Sequence, residues 1–181
     1  MYKIHIITAA TAAFIAWVPA LAAEEKRELG SHEHGQGRLN IAIEGKRVSM
    51  ELEVPGADIV GFEYEASTSE QKAVVEKAKV ALADALSIFK LPSVAGCKLV
   101  DAKVEEVLGQ GAEGAKVRHS EFRAAYAIDC AAPEKLTGID FGYFDAFANA
   151  LELDINVVTP NGQAHYEVTR EQPTLKLGEI G

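Results

Sequence analysis

LNIAIEGKRVSMELEV, residues 39–54, alternates apolar and polar side chains on either side of a glycine-bearing turn. Leu39, Ile41 and Ile43 fall on one side of an extended chain. After Glu44-Gly45-Lys46 the alternation resumes through Val48, Met50, Leu52 and Val54. A period of two is the mark of a strand with one buried face, and two such runs about a short turn make a β-hairpin. Pro55-Gly56 closes the second strand.

Outward from this hairpin the same pattern recurs twice. From Cys97 a β-like run passes through Leu99, Val100, Ala102 and Val104 to Val107; from Ser120, residues Phe122, Ala124, Tyr126, Ile128 and Cys130 alternate with Glu121, Arg123 and Asp129. Near the end, Leu151, Leu153, Ile155 and Val157 lead to Pro160-Asn161-Gly162 and return through Ala164, Tyr166 and Val168. Asn-Gly between alternating runs is the strongest short hairpin signal. Between the first two hairpins, Ser67-Thr68-Ser69 with Glu70 and Gln71 reads as a capping box. It opens a helix to about Lys90 with the stripe Val74, Ala78, Ala81, Leu82, Ala85 and Phe89, ended by Leu91-Pro92. A linker with Pro133 leads to residues 139–144, and residues 145–150 have room for one or two helical turns. The expected fold is α+β: a mainly antiparallel sheet of hairpins, one long helix and one disulfide-linked hairpin.

The N-terminus is organised differently. Lys3 precedes a nearly unbroken apolar run from Ile4 to Val18, then Pro19 and Ala20-Leu21-Ala22. A positive start, an apolar middle and small residues before a cut describe a secretory signal. An uncleaved anchor would need about the same apolar length, but the charged run Glu24 to Glu28 follows at once. The expected organisation is a cleaved signal at 1–22, a histidine-containing lead-in at 23–37 and one α+β domain at 38–181, placed in the periplasm without membrane insertion.

Cleavage sharpens two further readings. The chain carries a formal charge of -9, and loss of Lys3, the one charged side chain before Ala23, makes it -10. So acidic a protein is a poor partner for nucleic acid or an anionic membrane surface. The two cysteines, Cys97 and Cys130, lie in the exported part, where an even count reads as a disulfide. Antiparallel pairing of their strands across residues 109–116 sets both at one end of the hairpin. A two-cysteine metal site and a redox pair are the alternatives, and neither spacing nor a neighbouring histidine supports them.

Catalytic motifs are missing: there is no Gly-rich phosphate loop, His-Glu-x-x-His, or Gly-x-Ser-x-Gly. A protein without enzymatic activity is expected. The one local constellation is His32-Glu33-His34-Gly35-Gln36-Gly37. Residues two apart in an extended segment point the same way, so His32 and His34 can offer two imidazoles to one ion. Imidazole suits zinc, copper or nickel, and a tetrahedral zinc needs further ligands. His119 is the third candidate, with Glu33 and His165 able to complete a set. Against this stands the ordinary case of a His-x-His near a terminus that holds nothing. His165 alternates with Ala164 and Tyr166 and reads as an exposed surface residue.

His32-Glu33-His34-Gly35 followed by Leu39-Asn40-Ile41-Ala42 resembles the opening of a family of bacterial exported proteins, the ZrgA-like periplasmic zinc-binding proteins. The likeness continues through Glu51-Leu52-Glu53-Val54-Pro55, Asp58-Ile59-Val60-Gly61-Phe62-Glu63, Phe89-Lys90-Leu91-Pro92 and Ala95-Gly96-Cys97. It extends to His119-Ser120-Glu121-Phe122, Cys130-Ala131-x-Pro133 and Thr159-Pro160-x-Gly162-Gln163. The resemblance implies periplasmic zinc handling as an accessory to an ABC-type importer. Two departures stand out: members that look like zinc carriers have a histidine-rich insertion where this chain has Gly109 to Lys116 without a histidine, and members commonly have a histidine where it has Tyr64. With the histidine-rich loop missing, the competing expectation is a non-metal interaction module docking on an envelope partner.

Overall fold

The structure is a computed structural model that describes residues 35–109 and 119–178. The expected signal, His32, His34 and most of the 109–116 connection lie outside the described residues. The first hairpin pairs β1 (Gln36–Glu44) with β2 (Arg47–Pro55), Leu39 facing Leu52 and Ile41 facing Met50. Gly45 turns the chain at φ +57°, a conformation that favours glycine. The second joins β4 (Cys97–Leu108) to β5 (Ser120–Cys130), with Cys97 opposite Cys130 and the disulfide formed. A bulge at Val100 re-phases the alternation, so that Leu99 and Ala102, three apart, are both half-buried while Val100 and Asp101 are exposed.

The third hairpin, β7 (Glu152–Thr159) with β8 (Gly162–Thr169), turns one residue earlier than Asn-Gly suggests. Thr159 pairs with Gly162, leaving Pro160 and Asn161 as the loop. Proline's fixed φ suits the first loop position, and the Thr159 hydroxyl accepts the Asn161 amide at 3.2 Å.

The three hairpins merge into one six-stranded sheet of order β4-β5-β2-β1-β7-β8. It is mixed, because β1 and β7 pair in parallel and weld two antiparallel units together. Its inner face carries Leu39, Ile41, Leu52, Phe122, Leu153 and Ile155, all buried.

Over that face lies a layer of helices. The helix expected to reach Lys90 is broken: α2 spans Ser69–Ala83, α3 spans Ala85–Ile88, and the chain then enters the short strand β3 (Phe89–Lys90). The Thr68–Gln71 capping box opens α2 as anticipated. At its other end the Tyr126 hydroxyl donates to the Leu82 carbonyl at 2.9 Å, occupying an acceptor that a continuing helix would use. Val75, Ala78 and Leu82 form the buried stripe; Val74, expected inside, is 44% exposed.

Phe89 is drawn away from helix by its ring contacts with Tyr126 and Phe141, both at 5.8 Å. There β3 pairs with β6 (Gly138–Phe141), which pairs with β9 (Thr174–Lys176), giving a second, three-stranded sheet. The short helix α4 is Tyr143–Ala146, two residues earlier than expected, and it buries Tyr143 and Phe144. No helix among the described residues is long and apolar enough to cross a membrane.

Candidate metal centre

Strands β1 and β5 both run antiparallel to β2, so both begin at the same end of the sheet. Arg38, Glu53 and Arg123 are in register, which puts Gly35 and Ser120, each three residues earlier, on one level. Two strand spacings, about 10 Å, separate them. Ion pairs brace this end: Glu53 contacts Arg38 at 3.6 Å and Arg123 at 3.9 Å, and Arg123 also holds the buried Glu121. The hydrogen bond from Arg123 to Glu121 is the chief reason the guanidinium stays protonated above its ordinary range.

The segment after β2 fills the space between the two strand starts. Helix α1 (Gly56–Val60) packs so closely that a Cβ on Gly56 would lie 2.1 Å from Ser120 Oγ. Gly61 ends it at φ +81°. Asp58 within this element and Glu63 just after it make separate contacts.

Asp58, 2% exposed, accepts the Gly35 amide on Oδ1 at 2.8 Å. Gly35 has φ +88°, and its carbonyl accepts the amides of Leu151 and Glu152 at 2.9 and 2.8 Å. A Cβ there would press on Leu151 at 2.9 Å, and one on Gly37 would meet Val54 at 2.5 Å. The glycines of the His-Glu-His-Gly-Gln-Gly motif are therefore demanded by packing.

On the other side, Glu63 reaches His119. The Ser120 amide donates to the Glu63 carbonyl at 2.7 Å, and the Gly109 amide to the His119 carbonyl at 2.8 Å, which fixes the backbone around the imidazole. Glu63 Oε1 lies 3.1 Å from His119 Nδ1. An ionised carboxylate only accepts, so Nδ1 is the nitrogen that donates to Glu63, and in the neutral imidazole the lone pair lies on Nε2. The His119 side chain is 69% exposed, leaving that lone pair available. A histidine whose second nitrogen donates to a carboxylate is the usual arrangement of a zinc-ligating imidazole.

His165 belongs elsewhere. It is exposed, as its strand position suggested, with Nδ1 3.1 Å from Asn156 Oδ1 and Nε2 3.7 Å from Asp154. Its register leads through Asn156, Asn40 and Glu51 to Ala125, six residues past His119. That is about 20 Å along the strands and about 19 Å across them, so His165 cannot complete a site with His119. Tyr64 stacks on Phe62 at 5.0 Å, and its hydroxyl accepts from Gln71 at 3.2 Å.

Among the described residues no three His, Cys, Asp or Glu side chains gather around one point. What they contribute is an oriented imidazole, its carboxylate support, and a pinned residue next in sequence to His34. The sequence singles out His119 as a candidate but gives Asp58 and Glu63 no role. Both sat in the quoted run Asp58 to Glu63, where an acid among Ala57, Ile59, Val60 and Phe62 was the available signal.

Comparison with curated proteins found no match. The sequence does match the family model described as ZrgA family zinc uptake protein, over residues 31–177. That span takes in both hairpins at the site, the disulfide, and His32, His34 and His119. The chain belongs to the ZrgA family of zinc uptake proteins.

Proposed function

We propose that this protein binds zinc in the periplasm and serves as an accessory to a metal importer of the ABC type, with His32, His34 and His119 as ligands. The observation that carries the reading is the Glu63–His119 pair, at the end of the sheet where β1 starts at Gln36, two positions after His34 in the sequence. Family membership supports zinc as the cargo, and neutral imidazole nitrogens suit it chemically. Asp58 and Glu63 are five residues apart, so the two anchor points are at most about 18 Å apart along the chain. The chain binds and passes on its cargo; it does not transform it.

Titrating untagged mature protein with zinc against a competing chromophoric chelator tests the ligand set. Wild type should bind, His119→Ala should bind more weakly, and His32→Ala/His34→Ala more weakly again. Binding by the double variant as tight as wild type would remove the motif from the site. For the importer, crosslinking in intact cells should capture a transporter component, and the yield should change when zinc is withdrawn.

A further inference from the structure

We infer that this protein self-associates through the outer edge of β4, two copies pairing antiparallel about a two-fold axis at Val104 and so joining their sheets. β4 stands first in the order β4-β5-β2-β1-β7-β8, and among the described residues its backbone pairs with β5 alone. At twelve residues it is the longest strand of the sheet. An uncovered edge of that length is a template for one more strand. The opposite edge differs: β8 has eight residues, Thr169 at its end bridges to Gln172, and β9 lies beside it.

Charge selects a second copy of β4 as the occupant. The bulge at Val100 leaves residues 101–107 as a regular run. In an antiparallel pair, residues directly opposite share a face, where opposite charges stabilise and like charges oppose. With Val104 on the axis the whole run is used symmetrically. Lys103 then meets Glu105 of the second copy, and Glu105 meets its Lys103, while Ala102 faces Glu106 and Asp101 faces Val107. Lys103 and Glu105 are both exposed, and Val104 between them is half-buried. Within its own chain Lys103 lies opposite Ala125, so β5 gives it no charge to pair with there. An axis on Lys103, Glu105 or Glu106 would set a like charge on itself. An axis on Ala102 would pair Asp101 with Lys103 but draw the bulge into the ladder. Val104 is therefore the axis, among residues 102–106, that is both regular and charge-matched.

Sedimentation of the mature chain across a concentration series, with metal removed by chelator, tests the pairing. Wild type should rise from the mass of one chain to twice that mass as concentration increases. Lys103→Glu sets two acids opposite each other on both sides of the axis, and Glu105→Lys sets two lysines opposite each other. Each variant alone should stay at the mass of one chain. Both positions are exposed, and Arg123, opposite Glu105, keeps Glu53 and Glu121, so the fold survives either change. Mixed in equal amounts, the two variants offer acids on one chain and lysines on the other, and should recover the double mass. That recovery belongs to the Val104 axis, because with the axis on Ala102 the Glu105→Lys variant would associate like wild type. Wild type that keeps the mass of one chain up to about 1 mM would overturn the inference. So would single variants that associate like wild type, or a mixture that stays apart at concentrations where wild type pairs.

Discussion

Replacing Glu63 with glutamine changes one atom and removes one charge. In the native pair the carboxylate accepts a hydrogen bond from His119 Nδ1 across 3.1 Å, which in the proposed site turns the lone pair of the neutral imidazole, on Nε2, toward zinc. Glutamine can still accept through its amide oxygen, though more weakly. It can also flip and donate to Nδ1, which drives the proton to Nε2 and blocks the metal-facing lone pair. Loss of such outer-shell support costs about 10- to 100-fold in metal affinity, or about 1.4 to 2.7 kcal/mol. The effect on folding should be far smaller. His119 is 69% exposed and Glu63 25% exposed, and so exposed a pair contributes at most about 1 kcal/mol. The variant should therefore melt within a few degrees of wild type and bind zinc at least tenfold more weakly in chelator competition. Wild-type affinity in Glu63→Gln, alongside impaired binding in His119→Ala, would refute the claim that the carboxylate sets the tautomer. A large fall in melting temperature would show that the pair holds the fold instead.

Two further outcomes follow from the frame. Removing the disulfide with Cys97→Ala/Cys130→Ala opens a loop with a sequence separation of 33, worth about 3 to 4 kcal/mol in the chain-entropy model and about 6 to 16 °C in thermal unfolding; an unchanged melting temperature would contradict it. Zinc affinity should not move, because the bond sits about 33 Å along β5 from the His119 end. Tyr126 and Tyr143 are buried phenols whose ionisation burial pushes above the ordinary value of 10.0. The unfolded chain releases these protons first, so this contribution to stability is complete below about pH 10 and is lost as pH rises above it. Urea midpoints should fall between pH 8 and pH 11, and the fall should be smaller in Tyr126→Phe; an equal fall in that variant would exclude Tyr126 as a source.

Local pattern carried the fold where its cause was local. The alternation in residues 39–54 and the Thr68–Gln71 cap are properties of neighbouring residues, and the placing of Cys97 opposite Cys130 follows from two alternating runs joined by one connection; each appears where the sequence pointed. The misses have non-local causes. Residues 84–90 have helical spacing, yet Phe89 pairs with Phe141, 52 positions later, and no window around Phe89 contains that partner. Strands of two to four residues, such as β3, β6 and β9, are too short for a period to register. The parallel β1–β7 contact joins segments more than a hundred residues apart, so nothing in either hairpin's local pattern pointed to it. The site divides in the same way. His119 stands out as a residue type, but its contact with Glu63 spans 56 positions and the hydrogen bond from Gly35 to Asp58 spans 23, beyond any local window.

Metal analysis of the untagged protein recovered from the periplasm tests the central claim most directly, when paired with a His32→Ala/His34→Ala/His119→Ala variant prepared in the same way. The account predicts bound zinc in the wild type, removable by chelator, and its loss from the triple variant. Zinc retained by the triple variant, or none in either protein under zinc-replete growth, would contradict it.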